Sequence, residues 1–210
     1  MIQRSAIRRT ATLLFIALLC SAAPLLAQAN DYVTEEEEDL IRDAQGLQAR
    51  VPLYIKFLDN RIVALGLRER TAKEREQDKK DLENYEHEAK AAAKAKGDVE
   101  LRAKPLNGDI YLRKTTKTEL LRGYIQIVDE TMDYIDDSFE QRLDVRSYVE
   151  TLEKFLREQL TRFAKLETET PAEASALKAT VSHSEQAIDD CEKALRKLPK
   201  TERLPADPKG

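Results

Sequence analysis

Hydrophobic residues recur at intervals of three and four along most of this chain, which is the period of an amphipathic α-helix. The first such stretch follows Thr34, which forms with Glu37 the sequence pattern of an N-terminal capping box. Its apolar phase continues across Pro52, so we predict one kinked helix rather than two. The apolar positions of this stretch are Leu40, Ala44, Leu47, Val51, Tyr54, Leu58, Ile62 and Leu65.

Residues 67–96 differ from the stretch before them, because they are rich in charge and alanine and carry few large apolar side chains. Glutamates precede lysines by four residues, as in Glu76 and Lys80, and this order stabilises an isolated helix. The composition favours a projecting helical extension of the first helix, ended by Gly97. The alternative is a disordered charged linker.

Residues 98–115 interrupt the helical pattern. Short runs of alternating apolar and polar residues flank the turn sequence Pro105-Leu106-Asn107-Gly108, a pattern typical of a small β-hairpin. Because a lone two-stranded hairpin is marginally stable unless it packs on something, we expect a structured loop with hairpin character.

The helical pattern returns at Thr116, which begins a second capping box, and again at Thr170, which is followed by Pro171 at the first helical position. Asp144 can cap a new helix where the apolar phase slips, but neither glycine nor proline marks that junction. Residues 116–168 are therefore compatible with one bent helix or with two. The apolar positions are Leu121, Tyr124, Val128, Met132, Ile135 and Phe139; then Val145, Val149, Leu152, Leu156, Leu160, Phe163 and Leu166; and finally Leu177, Val181, Ser184, Ile188, Cys191, Leu195 and Leu198.

These segments together predict an all-α fold. Residues 30–198 are expected to form an antiparallel bundle of about four helices, with a long, charged, projecting first helix pair. Pro199 stops the last helix, and residues 199–210 are predicted to be a disordered tail.

The first 29 residues have the pattern of a cleaved secretory signal peptide. Three arginines precede an apolar run, and Ala27-Gln28-Ala29 supplies the small residues of a cleavage site. The uninterrupted apolar run is too short to span a bilayer comfortably. We therefore predict cleavage after Ala29, a periplasmic or extracellular location, and no stable membrane insertion afterwards.

The charge balance argues against nucleic acid as a partner. The chain has 35 Lys and Arg against 39 Asp and Glu, a net charge of -4, whereas a generic nucleic-acid binder needs a basic face. Residues 1–29 hold three arginines and no acid, so their removal leaves a net charge of -7. Cys191 then becomes the only thiol; it is expected to be buried or to pair with another chain.

One cluster of carboxylates has a spacing that suits ligand binding. Asp129, Asp133, Asp136 and Glu140 lie 4, 3 and 4 residues apart, on one face of a helix. Hard cations such as calcium take clustered carboxylate oxygens, so these four residues are a cation-site candidate. The competing interpretation is a solvated acidic face, offset by nearby arginines and by the positive end of the next helix.

No other pattern points to catalysis or to a cofactor. His87 and His183 lack the glutamate three residues earlier that a carboxylate-bridged di-iron bundle requires. Haem c attachment would need Cys-x-x-Cys-His, which is absent, and no spacing supports a haem held by Met132. Ser182 and His183 are adjacent on a helix, so their side chains point apart. We predict neither an enzyme nor a bound cofactor.

Two functions fit these observations. The first is an exported helical-bundle protein that acts through protein–protein contact or self-association, in a structural, chaperone-like or envelope-assembly role. The alternative is a periplasmic binder of a cation or small ligand that uses the acidic helix face. The first hypothesis depends on residues 67–96, and the second depends on the four carboxylates.

Overall fold

The structure is a computed structural model, and it describes residues 32–94 and 101–198. The predicted signal peptide, the predicted helix end at Gly97 and the predicted tail 199–210 lie outside these residues. The described chain is all-helical and contains no strand, which confirms the predicted fold class. Its helices are α1 (Glu35–Asp43), α2 (Leu47–Ala64), α3 (Ala72–Ala92), α4 (Lys117–Glu140), α5 (Arg146–Phe163) and α6 (Pro171–Lys197), with a 3₁₀ turn at Ile110–Leu112.

The expected single first helix is two helices, α1 and α2. The break lies at Gly46, whose φ of 79° is in the left-handed region that favours glycine. The Arg50 side chain donates to the carbonyls of Ile41 and Ala44, and so satisfies acceptors at the end of α1 that have no partner within that helix. Pro52 lies inside α2, which continues through it. The prediction that the helix survives Pro52 is confirmed, but the break at Gly46 was missed.

The prediction that residues 67–96 extend the first helix is wrong, because the chain turns after α2. Gly66 has a φ of 74°, and the amides of Gly66 and Leu67 donate back to the last turn of α2, which is a Schellman motif. A new capping box at Thr71 then starts α3. The Nζ of Lys56 in α2 lies 3.9 Å from the Asp78 carboxylate of α3, so α3 runs back beside α2. It is a helix over Ala72–Ala92, rather than a disordered linker.

No β-hairpin forms over residues 101–115, the described part of the expected hairpin segment. Leu106 and Leu112 are buried in the core, and they hold the segment to the bundle. Leu101 and Ile110 are exposed. The segment is a structured loop because its anchors are these buried side chains rather than paired strands.

Residues 116–168 form two helices, α4 and α5, rather than one bent helix. Arg142 has a φ of 63°, and the amides of Arg142 and Leu143 donate back to the last turn of α4. This second Schellman motif uses an arginine where glycine is usual. Asp144 Oδ1 accepts from the amide of Arg146 at 3.2 Å, but the N-cap of α5 is Val145 rather than the predicted Asp144, and it makes no side-chain capping bond.

Helix α4 contacts α2 on one side and α6 on another, and α5 packs on α6. The rings of Tyr54 in α2 and Tyr134 in α4 meet edge to face with centroids 6.5 Å apart. Tyr124 in α4 meets Phe163 in α5 in the same way at 5.1 Å. None of the helices within the described residues is long and apolar enough to cross a membrane.

The contact between α4 and α6 is made by small residues. Thr180 Oγ1 donates to the Leu121 carbonyl at 3.2 Å, so the two backbones approach closely there. Cys191 Sγ lies 3.7 Å from Met132 Sδ further along the same two helices. The most buried positions of α6 are Ala176, Thr180, Ser184, Ala187, Ile188 and Cys191.

The predicted apolar positions are only partly those of the core. Leu177, Val181, Leu195 and Leu198 of α6 are half-buried, because the small residues beside them face α4. Phe139, predicted as a core residue of α4, is exposed. The predicted seams of α2 and α5 agree better, since most of their members are buried.

Candidate functional site

The four acidic residues of the candidate cation site all lie on α4, and their side chains are exposed. Nε2 of His183 lies 2.7 Å from Oδ1 of Asp129. One of the four candidate carboxylates is thus already paired with a residue of α6. Across residues 32–94 and 101–198, no three His, Cys, Asp or Glu side chains are grouped so that they can hold a metal ion. The cation site at Asp129, Asp133, Asp136 and Glu140 therefore stays a prediction.

The acidic end of α4 is not neutralised locally. In the described part of the chain, Asp133, Asp136, Asp137 and Glu140 form no ion pair. Partial desolvation by the surrounding protein raises the pKa of Asp136 above its ordinary value although its side chain is largely exposed, and the negative charges of Asp133, Asp137, Glu140 and Asp190 raise it further. This end of the bundle consequently carries a concentrated negative potential.

The most buried ion pair among the described residues, between Arg61 and Glu37, was not predicted from the sequence. Glu37 is fully buried, and its carboxylate accepts two hydrogen bonds from Arg61, at 2.6 and 2.9 Å. The Tyr111 hydroxyl donates to the same carboxylate at 2.7 Å. Glu37 also accepts from the Thr34 amide, as its predicted capping role requires. The capping pattern was visible in the sequence, but the partners 24 and 74 residues away carried no sequence signal.

This cluster continues from the core to α3. The Asn60 side-chain amide donates to the Tyr111 hydroxyl at 3.1 Å, and Arg70 donates to the Asn60 carbonyl oxygen at 2.9 Å. Arg70 also pairs with Asp78 of α3 at 2.5 Å. Burial is the main cause that raises the pKa of the Tyr111 hydroxyl far above its ordinary value. The hydroxyl therefore stays protonated and acts as a fixed hydrogen-bond donor.

Ion pairs, rather than apolar packing, hold α3 beside the bundle. Arg68 bridges Asp59 of α2 and Glu74 of α3, with Nε 2.7 Å from the Asp59 carboxylate and Nη2 2.9 Å from that of Glu74. Near the other end of α3, Arg102 lies 3.0 Å from the Glu88 carboxylate. Asp78 is the one buried residue of α3, and α3 has no extensive backbone packing with another described helix.

Two open clefts separate α3 from the rest of the bundle. The larger, of about 710 Å³, is lined by α2, α5 and the start of α3; the smaller, of about 470 Å³, lies between α3 and the α1–α2 junction. The arginines of the larger cleft are already paired, as Arg162 is with Glu158 and Arg68 is with Asp59. Among the other lining residues, Glu69 forms no ion pair in the described part of the chain, and the buried Nε of Arg70 has no hydrogen-bond partner there.

Cys191 and the hydroxyls of Tyr32 and Tyr54 are buried or hydrogen-bonded. Cys191 is fully buried, as one of its two predicted alternatives required, and burial is the main cause that raises its pKa to about 12. The hydroxyls of Tyr32 and Tyr54 both donate to Glu130, at 3.1 and 3.3 Å. These groups tie the start of the described chain and α2 to α4, and the Cys191 thiol is not poised as a nucleophile.

Comparison of the chain with protein-family models, with curated proteins and with solved structures gave no significant match. The functional assignment therefore rests on the chemistry of the described residues.

Proposed function

We propose that this chain is an exported helical-bundle protein that acts through protein–protein contact, in a structural, chaperone-like or envelope-assembly role, and not as an enzyme. The observation that carries this proposal is α3, a helix of 21 residues with one buried side chain, Asp78. Most helices in proteins owe their stability to packing of an apolar face. A long helix held mainly by ion pairs keeps most of its surface free for a partner.

The free surface of α3 carries charges of both signs. Lys79 pairs with Glu83 at 3.8 Å and Lys80 with Glu76 at 3.5 Å, and all four side chains are exposed. Such pairs stabilise a helix by about 0.2–0.5 kcal/mol each. Patterned surface charge favours specificity and fast encounter with a complementary protein surface. Because ion pairs hold α3 near both ends, little conformational freedom is lost when a partner binds.

In this proposal α2, α4, α5 and α6 form the four-helix body that presents α3. The contacts support antiparallel α2 and α4, because Tyr54 meets Tyr134 while the later Arg61 lies against the earlier Gly123. Thr180 of α6 contacts Leu121 of α4, and the later Cys191 contacts the later Met132, so α4 and α6 are proposed to run parallel. The proposed export rests on the sequence pattern of residues 1–29.

Site-specific photo-crosslinking in living host cells tests the proposed contact. A photoreactive amino acid at Glu83, which is 64% exposed on α3, is compared with one at Asp189, which is 57% exposed on α6. We expect a discrete crosslinked protein at Glu83 and none at Asp189. No adduct at Glu83, or the same adducts at both positions, would contradict the proposal.

A matched pair of variants separates the α3 surface from general charge effects. Glu76→Ala with Lys80→Ala removes one exposed pair from α3 without changing the net charge or weakening helix propensity. Asp189→Ala with Lys193→Ala does the same on α6, where the pair lies at 2.6 Å. The first variant is expected to reduce crosslinking at Glu83, and the second is expected to leave it unchanged.

The alternative function is a binder of a cation or small ligand at Asp129, Asp133, Asp136 and Glu140. It is favoured by the absence of ion pairs at the last three of these residues in the described chain. Calorimetric titration with calcium tests it. Binding that Asp133→Asn weakens would support this function, whereas no heat of binding would reject calcium as the ligand.

A further inference from the structure

Three exposed apolar side chains lie at or just beyond the two ends of α4. Within the described chain the large hydrophobic residues that are clearly exposed are Leu101, Ile110, Phe139 and Leu143, at 41%, 43%, 53% and 47%. Phe139 and Leu143 lie at the carboxyl end of α4, four residues apart. Ile110 lies before the amino end of α4. The unpaired charges nearest these side chains are mainly acidic at the carboxyl end and basic at the amino end.

At the carboxyl end of α4, acidic residues flank the exposed Phe139 and Leu143. Asp136, Asp137 and Glu140 neighbour Phe139 in the sequence, and none of the three forms an ion pair in the part of the chain that the structure describes. The Schellman motif at Arg142 fixes this corner, since the Leu143 amide donates to the last turn of α4 at 3.1 Å. The acidic end thus presents two exposed apolar side chains, with three unpaired acids and the exposed Arg142 close by in the sequence.

Near the amino end of α4, an exposed apolar side chain lies beside basic residues. Ile110 begins the 3₁₀ turn, in which side chains three residues apart share a face, so Arg113 lies on the side of Ile110. Arg113 and Lys114 are exposed and form no ion pair among the described residues. Lys117 nearby is already paired with Glu169 at 3.0 Å. Asp109 is the single acid in residues 104–117, but Glu167, Glu169 and Glu173 lie close to Lys117, so the basic end is the local surface of Arg113 and Lys114.

The two ends cannot meet within one chain. The 24 residues of α4 separate them by about 36 Å, at a rise of 1.5 Å per residue. We propose that a second copy of this chain docks head to tail, with the acidic end of one copy on the basic end of the next. Phe139 and Leu143 then meet Ile110, and Asp137 and Glu140 face Arg113 and Lys114. This inference rests on the proposed function and names the partner as another copy.

The geometry makes this contact heterologous, because each copy uses two different surfaces. A contact of this kind leaves one acidic end and one basic end free in a dimer. It therefore continues into longer assemblies or closes into a ring. This property distinguishes it from a symmetric dimer, which ends at two copies.

Sedimentation velocity of the exported protein, with charge-reversal variants, tests the contact. The acidic-end variant is Asp137→Lys with Glu140→Lys, and the basic-end variant is Arg113→Glu with Lys114→Glu. The new lysines lie near the carboxyl end of α4 and the new glutamates before its amino end, where the helix dipole favours charges of these signs. Both variants are therefore expected to fold, and far-UV circular dichroism checks this. The control, Lys154→Glu with Lys178→Glu, changes the net charge as the basic-end variant does, at exposed positions of α5 and α6.

We expect the wild type to form species larger than a monomer, and to lose them as salt screens the contact. Each end variant is expected to weaken association about tenfold or more, since like charges then face each other, while the control is unchanged. A mixture of the two end variants is expected to restore species larger than a pair, because every contact between the two different variants then joins opposite charges. Combining both reversals in one chain is expected to restore the larger species.

A monomer at every concentration would overturn the proposal, as would dimers that survive both reversals or a mixture that does not pair. These failures leave the proposed function testable on its own, because crosslinks from Glu83 of α3 to another protein do not depend on the ends of α4. Conversely, head-to-tail assembly without any α3 crosslink would keep this inference and reject α3 as the surface that carries the function.

Discussion

Arg61 binds Glu37 through two hydrogen bonds, of 2.6 and 2.9 Å, and the exposure of the two side chains is 3% and 0%. The pair connects α2 to α1 across the break at Gly46. Taking both charges out of water is costly, and the attraction between them offsets that cost only while both are present. Replacing only one of these two residues is therefore expected to destabilise the junction between α1 and α2.

Removing the charge of Glu37 is expected to destabilise the protein strongly. Glu37→Gln keeps a side chain that can complete the capping box, but it leaves Arg61 buried without its counter-charge. We expect the free energy of unfolding in urea to fall by about 3 kcal/mol. The double variant Glu37→Gln with Arg61→Leu is expected to lose less than the sum of the two single variants. Additive losses would show that the two side chains do not interact.

The parts of the fold that the sequence predicted are those with local causes. Thr34 and Thr116 form the expected capping boxes, because each cap requires only residues three positions apart. The reversal of α3 was missed although Gly66 was visible, because an unbroken charged composition favoured helix continuation over a turn. Its position beside α2 depends on Arg68 and Arg70, whose partners Asp59 and Asn60 lie 9 and 10 residues away across the turn.

The candidate site was predictable only in part. Helical spacing placed Asp129, Asp133 and Asp136 on α4 correctly, but it did not show that His183 approaches Asp129 from another helix. The burial of Glu37 was also hidden, because glutamate is rarely buried. Long-range pairing, unlike helical period, leaves no local pattern.

The attachment of α3 is expected to weaken in acid. The hydrogen bond from Arg68 is the main cause that lowers the pKa of Glu74 to about 2, from an ordinary value of 4.5, and the Thr71 amide adds to it. A carboxyl group with a lowered pKa stabilises the folded state above its unfolded pKa. That stabilisation is lost as the pH falls from about 4.5 to about 2.

An NMR titration of the Glu74 carboxyl measures this directly. We expect an apparent pKa near 2 in the wild type, and a return toward the ordinary value in Arg68→Met. Lys90→Met is the control, since Lys90 pairs with Glu86 at the other end of α3, and it should leave the Glu74 titration unchanged. An ordinary pKa in the wild type would mean that Arg68 does not hold α3.

The thiol of Cys191 is expected to be unreactive in the folded protein. Burial raises its pKa to about 12, so both access and thiolate formation are suppressed at neutral pH. Ellman's reagent at about pH 8 should label the chain only after a denaturant is added. Rapid labelling of the native protein would place Cys191 at an accessible surface and contradict its packing against Met132.

Neutralising Asp136 is expected to stabilise the protein slightly. Its pKa is raised by burial and by neighbouring carboxylates, so its ionised form opposes folding at neutral pH, and this cost grows as the pH rises through the pKa. Asp136→Asn should therefore raise the Tm in dilute solution. Asp189→Asn, which breaks a pair with Lys193, should leave the Tm unchanged or lower it. A lower Tm for Asp136→Asn would indicate that a bound cation needs this carboxylate.

A native mass spectrum of the protein isolated from its host tests the central claim, action through protein–protein contact, most directly. The account predicts either multiples of the chain mass or a chain carrying an added mass the size of a protein, lost on denaturation. A bare single chain at every concentration would contradict it. An added mass of a few tens of daltons would instead assign a metal ion to the chain and favour the acidic face of α4 as its site.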